Sequence, residues 1–128
     1  MQHIPLSCSK VEAGFPSPAE DYIENHISLD EQLVPKPAST FFVRVSGHSM
    51  KDAPIRDGDL AIIDRSLTPK SGSVVLAVLD GNFTIKYFFQ TKEGITLEAA
   101  NPDFPPIPIK EETDFQIWGV VTHVIHSF

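Results

Sequence analysis

Short runs of apolar and β-branched residues, separated by turn residues, fill most of the chain after residue 38. The clearest run, Val74–Leu79, is followed by Asp80-Gly81 and then by a second β-prone run at residues 82–89. Asp-Gly between two such runs is the favoured sequence for a two-residue type I′ hairpin turn. Further strands are predicted at residues 40–46, 60–64, 95–99 and 115–125, the last interrupted by a glycine. About seven strands and almost no helix predict a mainly antiparallel β domain.

The first 38 residues differ from the rest, because five prolines punctuate them and they contain no extended strand pattern. A capping box, Ser-Pro-Ala-Glu, begins at Ser17 and predicts a helix of two or three turns that ends near Asn25. Such a short helix is marginal by itself and needs a surface to lie on. We therefore expect residues 1–38 to form a flexible arm and residues 39–128 to form the β-rich core.

Charge and composition exclude several classes of protein. The chain has 10 Lys+Arg against 17 Asp+Glu, which gives a formal net charge of -7. That balance argues against a protein that coats phosphate backbones. The longest apolar run is far shorter than the roughly 20 residues of a membrane span, and the start carries no secretory signal. Cys8 is the only cysteine, so no intramolecular disulfide can form, and a cytoplasmic location is expected.

Ser49 is a candidate nucleophile because it follows a predicted strand and a turn that contains Gly47. Such a turn can expose a serine Oγ and can line up successive backbone N–H groups toward an oxyanion. Serine after glycine is also common in ordinary loops, and the pattern alone favours that interpretation.

Lys86 lies in the second strand of the predicted hairpin, where it shares a face with Thr84 and Phe88. A lysine within this aromatic stretch could lose solvent, which lowers its pKa. Service as a neutral base would require a downward shift of about three units. Taken alone, the pattern favours an exposed strand lysine on a solvated face.

The remaining candidates for chemistry are weaker. His48 adjoins Ser49, and adjacent side chains diverge, so His48 is poorly placed to act as its base. His123 and His126 are expected on opposite faces of the last strand, which argues against a shared metal ion. The chain has no nucleotide-binding glycine motif and no room for a helix-turn-helix, and neither a metal nor a cofactor is expected.

Ala13-Gly14 is a small-small peptide bond in the predicted arm, and by itself it is an ordinary loop sequence. The order of Ala13-Gly14, Ser49 in Ser-Gly-His-Ser-Met and Lys86 in Phe-Thr-Ile-Lys resembles the LexA/UmuD family of self-cleaving Ser-Lys proteins, in particular its UmuD-type members. The resemblance extends from about Gly14 to His126. It includes Asp-Gly-Asp-Leu from Asp57 and Gly-Val-Val-Thr-His-Val at residues 119–124.

The resemblance implies a LexA/signal-peptidase-like β-rich catalytic domain that forms a homodimer. It implies a serine endopeptidase in which Ser49 is the nucleophile and Lys86 is the general base and acid. The backbone N–H groups of His48 and Ser49 would form the oxyanion hole. Ala13-Gly14 would be the bond that the protein cleaves in itself.

The resemblance also implies partners. In this family the RecA filament on single-stranded DNA stimulates cleavage as part of the SOS response. The processed form, here residues 14–128, would then join a UmuC-type Y-family polymerase for error-prone lesion bypass. Neither a membrane nor sequence-specific DNA contact is implied.

Three alternatives remain at the level of sequence. The chain could be a catalytically silent, dimeric interaction module that regulates that polymerase. It could be a LexA-like repressor that lacks its DNA-binding domain. A signal peptidase is a third possibility, but it would need a membrane anchor.

Overall fold

The computed structural model describes residues 3–7 and 23–128, and it describes side chains from residue 28 onward. The chain divides into two compact units, Met1–Pro35 and Lys36–Phe128. No helix within the described ranges is long and apolar enough to cross a membrane.

The first unit contains a two-stranded antiparallel sheet of β1 (His3–Ser7) and β2 (Ile23–Ser28), which is followed by a short helix, α1 (Leu29–Leu33). Two short strands thus form where the sequence shows no extended strand pattern. Each strand is short and Pro5 lies in the middle of β1, so the strands are defined by pairing with distant residues rather than by a local alternating pattern. The start of the helix predicted at Ser17 lies outside the described residues. Its predicted end near Asn25 is wrong, because Asn25 lies in β2.

The second unit is one seven-stranded antiparallel sheet preceded by a 3₁₀ turn, Pro37–Ser39. Its strands are β3 (Thr40–Arg44), β4 (Leu60–Asp64), β5 (Val74–Leu79), β6 (Asn82–Thr91), β7 (Gly94–Glu98), β8 (Ile107–Ile109) and β9 (Phe115–Ile125). They are ordered β3-β4-β9-β5-β6-β7-β8, so β3 and β8 form the two edges. The prediction of a mainly antiparallel β domain is confirmed.

The β5–β6 hairpin forms as the Asp-Gly sequence predicts. Asp80 and Gly81 have φ angles of 50° and 84°, and type I′ turns require positive φ at both central residues. This turn sets the register of the hairpin, in which Val75 lies opposite Lys86. Because successive side chains on a strand point to opposite faces, the register also decides which face carries the lysine.

Strand β9 crosses the middle of the sheet and contains two irregularities, one opposite Ile62 and Ile63 of β4 and one opposite Leu76 and Ala77 of β5. Each irregularity shifts the alternation of the strand by one residue. The apolar side chains of β9 consequently pack on both faces of the sheet. Gly119 lies at the second irregularity, where β9 passes close to β4.

Two apolar clusters flank the sheet. The buried members of the first are Val45, Met50, Ala53, Ile55, Ala61, Ile63 and Leu76. Those of the second are Val75, Ala77, Phe88 and Leu97. Four members of the first cluster come from the segment at residues 45–55, which follows β3. Burial of these four side chains holds that segment, and Ser49 within it, against one face of the sheet.

Replacing Gly119 with alanine is expected to destabilise the fold. An added Cβ would lie 2.5 Å from Cγ2 of Ile63 and 3.1 Å from the carbonyl oxygen of Asp64, so β9 would have to move away from β4. Overpacking of this kind costs about 1–3 kcal/mol. Urea unfolding of Gly119→Ala should therefore show a lower midpoint than wild type.

The double variant Gly119→Ala/Ile63→Leu provides the control, because leucine lacks the branch at Cβ that the new methyl group would strike. The two substitutions should be less damaging together than the sum of their separate effects. Strict additivity would contradict the steric explanation.

Candidate active site

Ser49 lies in a turn between β3 and the buried part of the segment at residues 45–55. Gly47 has a φ of 93°, a conformation that favours glycine, and it redirects the chain out of the strand. The N–H of Lys51 then donates to the carbonyl of His48 over 3.1 Å, and Ala53 donates to Met50 over 3.0 Å. The turn presents Ser49 half-buried, while Met50 beside it anchors the turn in the core.

A second turn, at residues 57–59, forms hydrogen bonds with the backbone that precedes Ser49. The N–H of Gly47 donates to Oδ1 of Asp57 over 2.8 Å. Val45 donates its N–H to the carbonyl of Asp59 and accepts from the N–H of Gly58, each over 2.8 Å. The Asp-Gly-Asp motif that stood out in the sequence thus holds the backbone that leads into the serine turn.

Asp59 is only 2% exposed and closes this second turn. Its Oδ2 accepts the N–H of Arg56 over 2.8 Å, and its Oδ1 pairs with Nδ1 of His126 over 2.5 Å. The hydrogen bond from Arg56 and then that from His126 hold the pKa of the Asp59 carboxyl below its usual value. His126 thus braces this turn, while His123 contacts Thr122 instead. Within the described residues, no cluster of histidine, cysteine and carboxylate side chains is placed to hold a metal ion.

Lys86 extends from β6 to the serine turn. Its Nζ lies 3.1 Å from Oγ of Ser49, 2.5 Å from Oγ1 of Thr84 and 3.3 Å from the carbonyl oxygen of Ile85. The residue is 8% exposed. The pattern-based interpretation of an exposed strand lysine is therefore wrong, because the amine is buried and contacts Ser49 of the serine turn.

The surroundings of Lys86 favour the neutral amine. None of its three hydrogen-bond partners carries a negative charge that would stabilise an ammonium group as a carboxylate does. Burial lowers the pKa of Lys86 below its ordinary value. The site therefore places a nucleophilic oxygen within hydrogen-bond distance of an amine that is easier to deprotonate than a lysine in water.

The hydrogen bond between Lys86 and Thr84 was not predicted from the sequence. Thr84 precedes Lys86 by two positions, so both side chains lie on one face of β6, and that spacing was the available signal. In the structure Nζ of Lys86 donates to Oγ1 of Thr84. Two hydroxyl groups therefore fix the position of the amine.

The backbone at the turn has free hydrogen-bonding capacity. The N–H groups of His48 and Ser49 make no hydrogen bond to another described residue. Two such donors on successive residues are suited to an oxyanion that forms beside the serine. The His48 side chain is exposed and does not contact the lysine or the serine.

A cleft of about 270 Å³ opens beside Ser49 and Thr84. Apolar side chains from four parts of the second unit line it, among them Val43, Met50, Ile55, Leu76 and Ile85. Residues 43–46, at the end of the edge strand β3 and just beyond it, also line the cleft. At the mouth stands Phe83, 60% exposed, with its ring edge-on to Trp118 at 5.2 Å. Ala13 and Gly14, the bond expected to enter such a cleft, lie outside the described residues.

Comparison with known proteins gives one family and a consistent set of relatives. Residues 5–122 match the Peptidase S24-like family. The chain is 43% identical to the protein MucA of Salmonella typhimurium, over 94% of this chain and 82% of that protein. It is 43% identical to the protein SamA of Salmonella typhimurium, over 96% of this chain and 85% of that protein. It is 38% identical to the LexA repressor of Photorhabdus laumondii, over 92% of this chain and 59% of that protein.

The depressed pKa of Lys86 can be tested without any cleavage, by comparing Ser49→Ala with Ser49→Ala/Lys86→Met. Between the pKa of Lys86 in the folded protein and about 10.4 in the unfolded chain, the unfolded state binds more protons, so stability rises with pH. Only the lysine-containing protein has this contribution. The free energy of unfolding, measured with urea, should therefore increase for Ser49→Ala relative to Ser49→Ala/Lys86→Met as pH rises from 7 to 10.

Lys51→Met in the same Ser49→Ala background is the matched control, because Lys51 is exposed and lies two residues from the serine. The difference in free energy of unfolding between Ser49→Ala and Ser49→Ala/Lys51→Met should change little over that range of pH. A Lys86→Met difference that is equally flat would show that burial leaves the basicity of Lys86 unchanged.

Proposed function

This chain belongs to the Peptidase S24-like family and is a UmuD-type member of it, and on that premise we propose that it is a serine endopeptidase that cuts its own chain. The observation that carries the proposal is the 3.1 Å contact between Nζ of a desolvated Lys86 and Oγ of Ser49. Ser49 serves as the nucleophile and Lys86 as the general base. The match of MucA and SamA over most of the chain supports this assignment.

The reaction begins when neutral Lys86 takes the proton of the Ser49 hydroxyl as Oγ attacks the carbonyl carbon of Ala13. The new C–O bond gives a tetrahedral intermediate. The Lys86 ammonium then returns the proton to the nitrogen of Gly14, the C–N bond breaks, and residues 1–13 stay attached to Ser49 as an ester. Lys86, neutral again, activates a water molecule that hydrolyses the ester.

The N–H groups of His48 and Ser49 stabilise the oxyanion in this mechanism. Their freedom from other described partners supports the role, since a donor already bonded would have to break that bond first. Donors of this kind contribute most when they are oriented before the reaction, and removal of one typically costs about 10²- to 10³-fold in rate.

The cleft beside Ser49 is the proposed binding site for the segment that contains Ala13-Gly14. An extended peptide can pair with the backbone of residues 43–46 in the manner of an added strand, and the cleft lies along that backbone. Small residues at the scissile bond allow the peptide to approach Ser49 closely. Apolar walls exclude water from the bond under attack.

The proposed cellular role follows from the UmuD-type relatives. Cleavage is stimulated by the RecA filament on single-stranded DNA during the SOS response. The processed form, residues 14–128, is a homodimeric cytoplasmic subunit of a UmuC-type, error-prone Y-family polymerase. The net charge of -7 supports a role in binding proteins rather than DNA.

Self-cleavage is tested by incubating the purified chain at pH 7 and pH 10 and following its intact mass. Wild type should lose residues 1–13. The first-order rate constant should rise by about tenfold per pH unit and level off above the pKa of Lys86, because the neutral amine is the base. A rate independent of pH would contradict a lysine base.

Two substitutions and two controls accompany this test. Ser49→Ala and Lys86→Met should abolish the cut at both pH values. Ser71→Ala and Lys51→Met, which replace exposed residues outside the proposed dyad, should cleave as wild type does. Cleavage that survives in Ser49→Ala would assign it to another nucleophile or to a contaminating protease.

Addition of the RecA filament separates a regulated protease from a silent interaction module. A wild-type chain that is intact at both pH values but cut in the presence of the filament is a protease that requires stimulation. A chain that stays intact in every tube is not a protease, and the silent module is then the better description.

A further inference from the structure

A buried amide outside the proposed dyad contacts the backbone of the serine turn. Asn101 lies in the loop between β7 and β8, is 6% exposed, and donates from Nδ2 to the carbonyl of His48 over 2.8 Å. We propose that Asn101 is a positioning residue for self-cleavage, which orients the peptide unit between His48 and Ser49. This inference rests on the proposed function.

The argument starts from the planarity of the peptide bond. The carbonyl of His48 and the N–H of Ser49 belong to one planar trans unit and point in opposite directions, so the direction of one fixes that of the other. A donor that holds the His48 carbonyl therefore aims the Ser49 N–H, which is half of the proposed oxyanion hole. Donation to the carbonyl also polarises the unit, which makes its N–H a stronger donor.

The orientation of the Asn101 amide is fixed by its other end. Oδ1 accepts the N–H of Asp103 over 2.9 Å, and the carbonyl of Asn101 accepts the N–H of Phe104 over 3.0 Å. Exchange of Oδ1 and Nδ2 would place two acceptors face to face at His48 and two donors face to face at Asp103. The amide must therefore present its N–H₂ group to the serine turn.

The serine turn needs such a restraint. The peptide unit lies in a turn outside regular secondary structure, where His48 is exposed and Ser49 only half-buried, so packing restrains it little. Besides Asn101, the His48 carbonyl accepts only the longer bond, 3.1 Å, from Lys51 among the described residues. Loss of the amide would leave the peptide unit weakly held.

The contact can be removed without undocking the loop. The N–H of Asp52 donates to the carbonyl of Ala100 over 2.7 Å, and that backbone bond does not involve the Asn101 side chain. Asn101→Asp keeps the Oδ1 acceptor for the N–H of Asp103 and replaces the donor to His48 by a carboxylate oxygen, which repels that carbonyl. This substitution distinguishes positioning of the serine turn from maintenance of the loop.

The experiment compares wild type, Asn101→Asp, Asn101→Ala and Thr113→Ala in the intact-mass assay from pH 7 to pH 10. Thr113→Ala removes a similar side-chain contact, to the N–H of Lys110, in the loop before β9. Both Asn101 variants should cleave about 10- to 100-fold more slowly than wild type at every pH. Asn101→Ala should keep the wild-type midpoint of the pH profile, since Lys86 is untouched, and Thr113→Ala should match wild type throughout.

Three outcomes would overturn the inference, and they are distinguishable. Wild-type rates in Asn101→Asp would show that the loop turn is sufficient without the donor. A shifted pH midpoint in Asn101→Ala would show that the substitution acts through the burial of Lys86. A wild-type chain that stays intact with and without the RecA filament would refute the proposed function, and this inference with it.

Discussion

The contact between the buried amine of Lys86 and the hydroxyl of Ser49 is the constraint on which the second unit depends. Burial of Lys86 opposes folding as long as the amine is protonated, so the sheet must supply enough apolar burial to offset it. Strand β6 places the amine, and Ser49 of the segment at residues 45–55 contacts it. Because both parts are needed, the lowered pKa of Lys86 exists only in the folded protein, and a nascent chain has no comparable base.

Rigidity around the serine comes from polar contacts rather than from regular secondary structure. Asp57 holds the N–H of Gly47, and Asn101 and Lys51 share the carbonyl of His48. These bonds join two turns of the connection between β3 and β4 to the loop between β7 and β8. The arrangement leaves the N–H groups of His48 and Ser49 available while the atoms around them are fixed, which is the condition for preorganised electrostatic stabilisation.

Much of the sheet could be predicted from the sequence, because alternation and turn residues are local signals. The β5–β6 hairpin was predicted with its turn type, whereas the three-residue strand β8 was missed because proline occupies its centre. The pairing of Lys86 with Ser49 came from the family resemblance. The local pattern gives the face on which a strand residue lies, and it says nothing of the distant segment that contacts the residue. Asn101 was missed for the same reason, since 53 positions separate it from His48.

The tight turn at Asp80-Gly81 limits how this protein can change in length. A two-residue loop cannot absorb an extra or a missing residue. One insertion or deletion would shift the register of β6 against β5 and turn Lys86 to the opposite side of the sheet. The loops before β5 and between β8 and β9, both within the described residues, carry no such penalty, because they form hydrogen bonds with neither Lys86 nor the serine turn. Insertions and deletions that arise in descendants of this sequence should therefore accumulate in those loops and be purged from the hairpin.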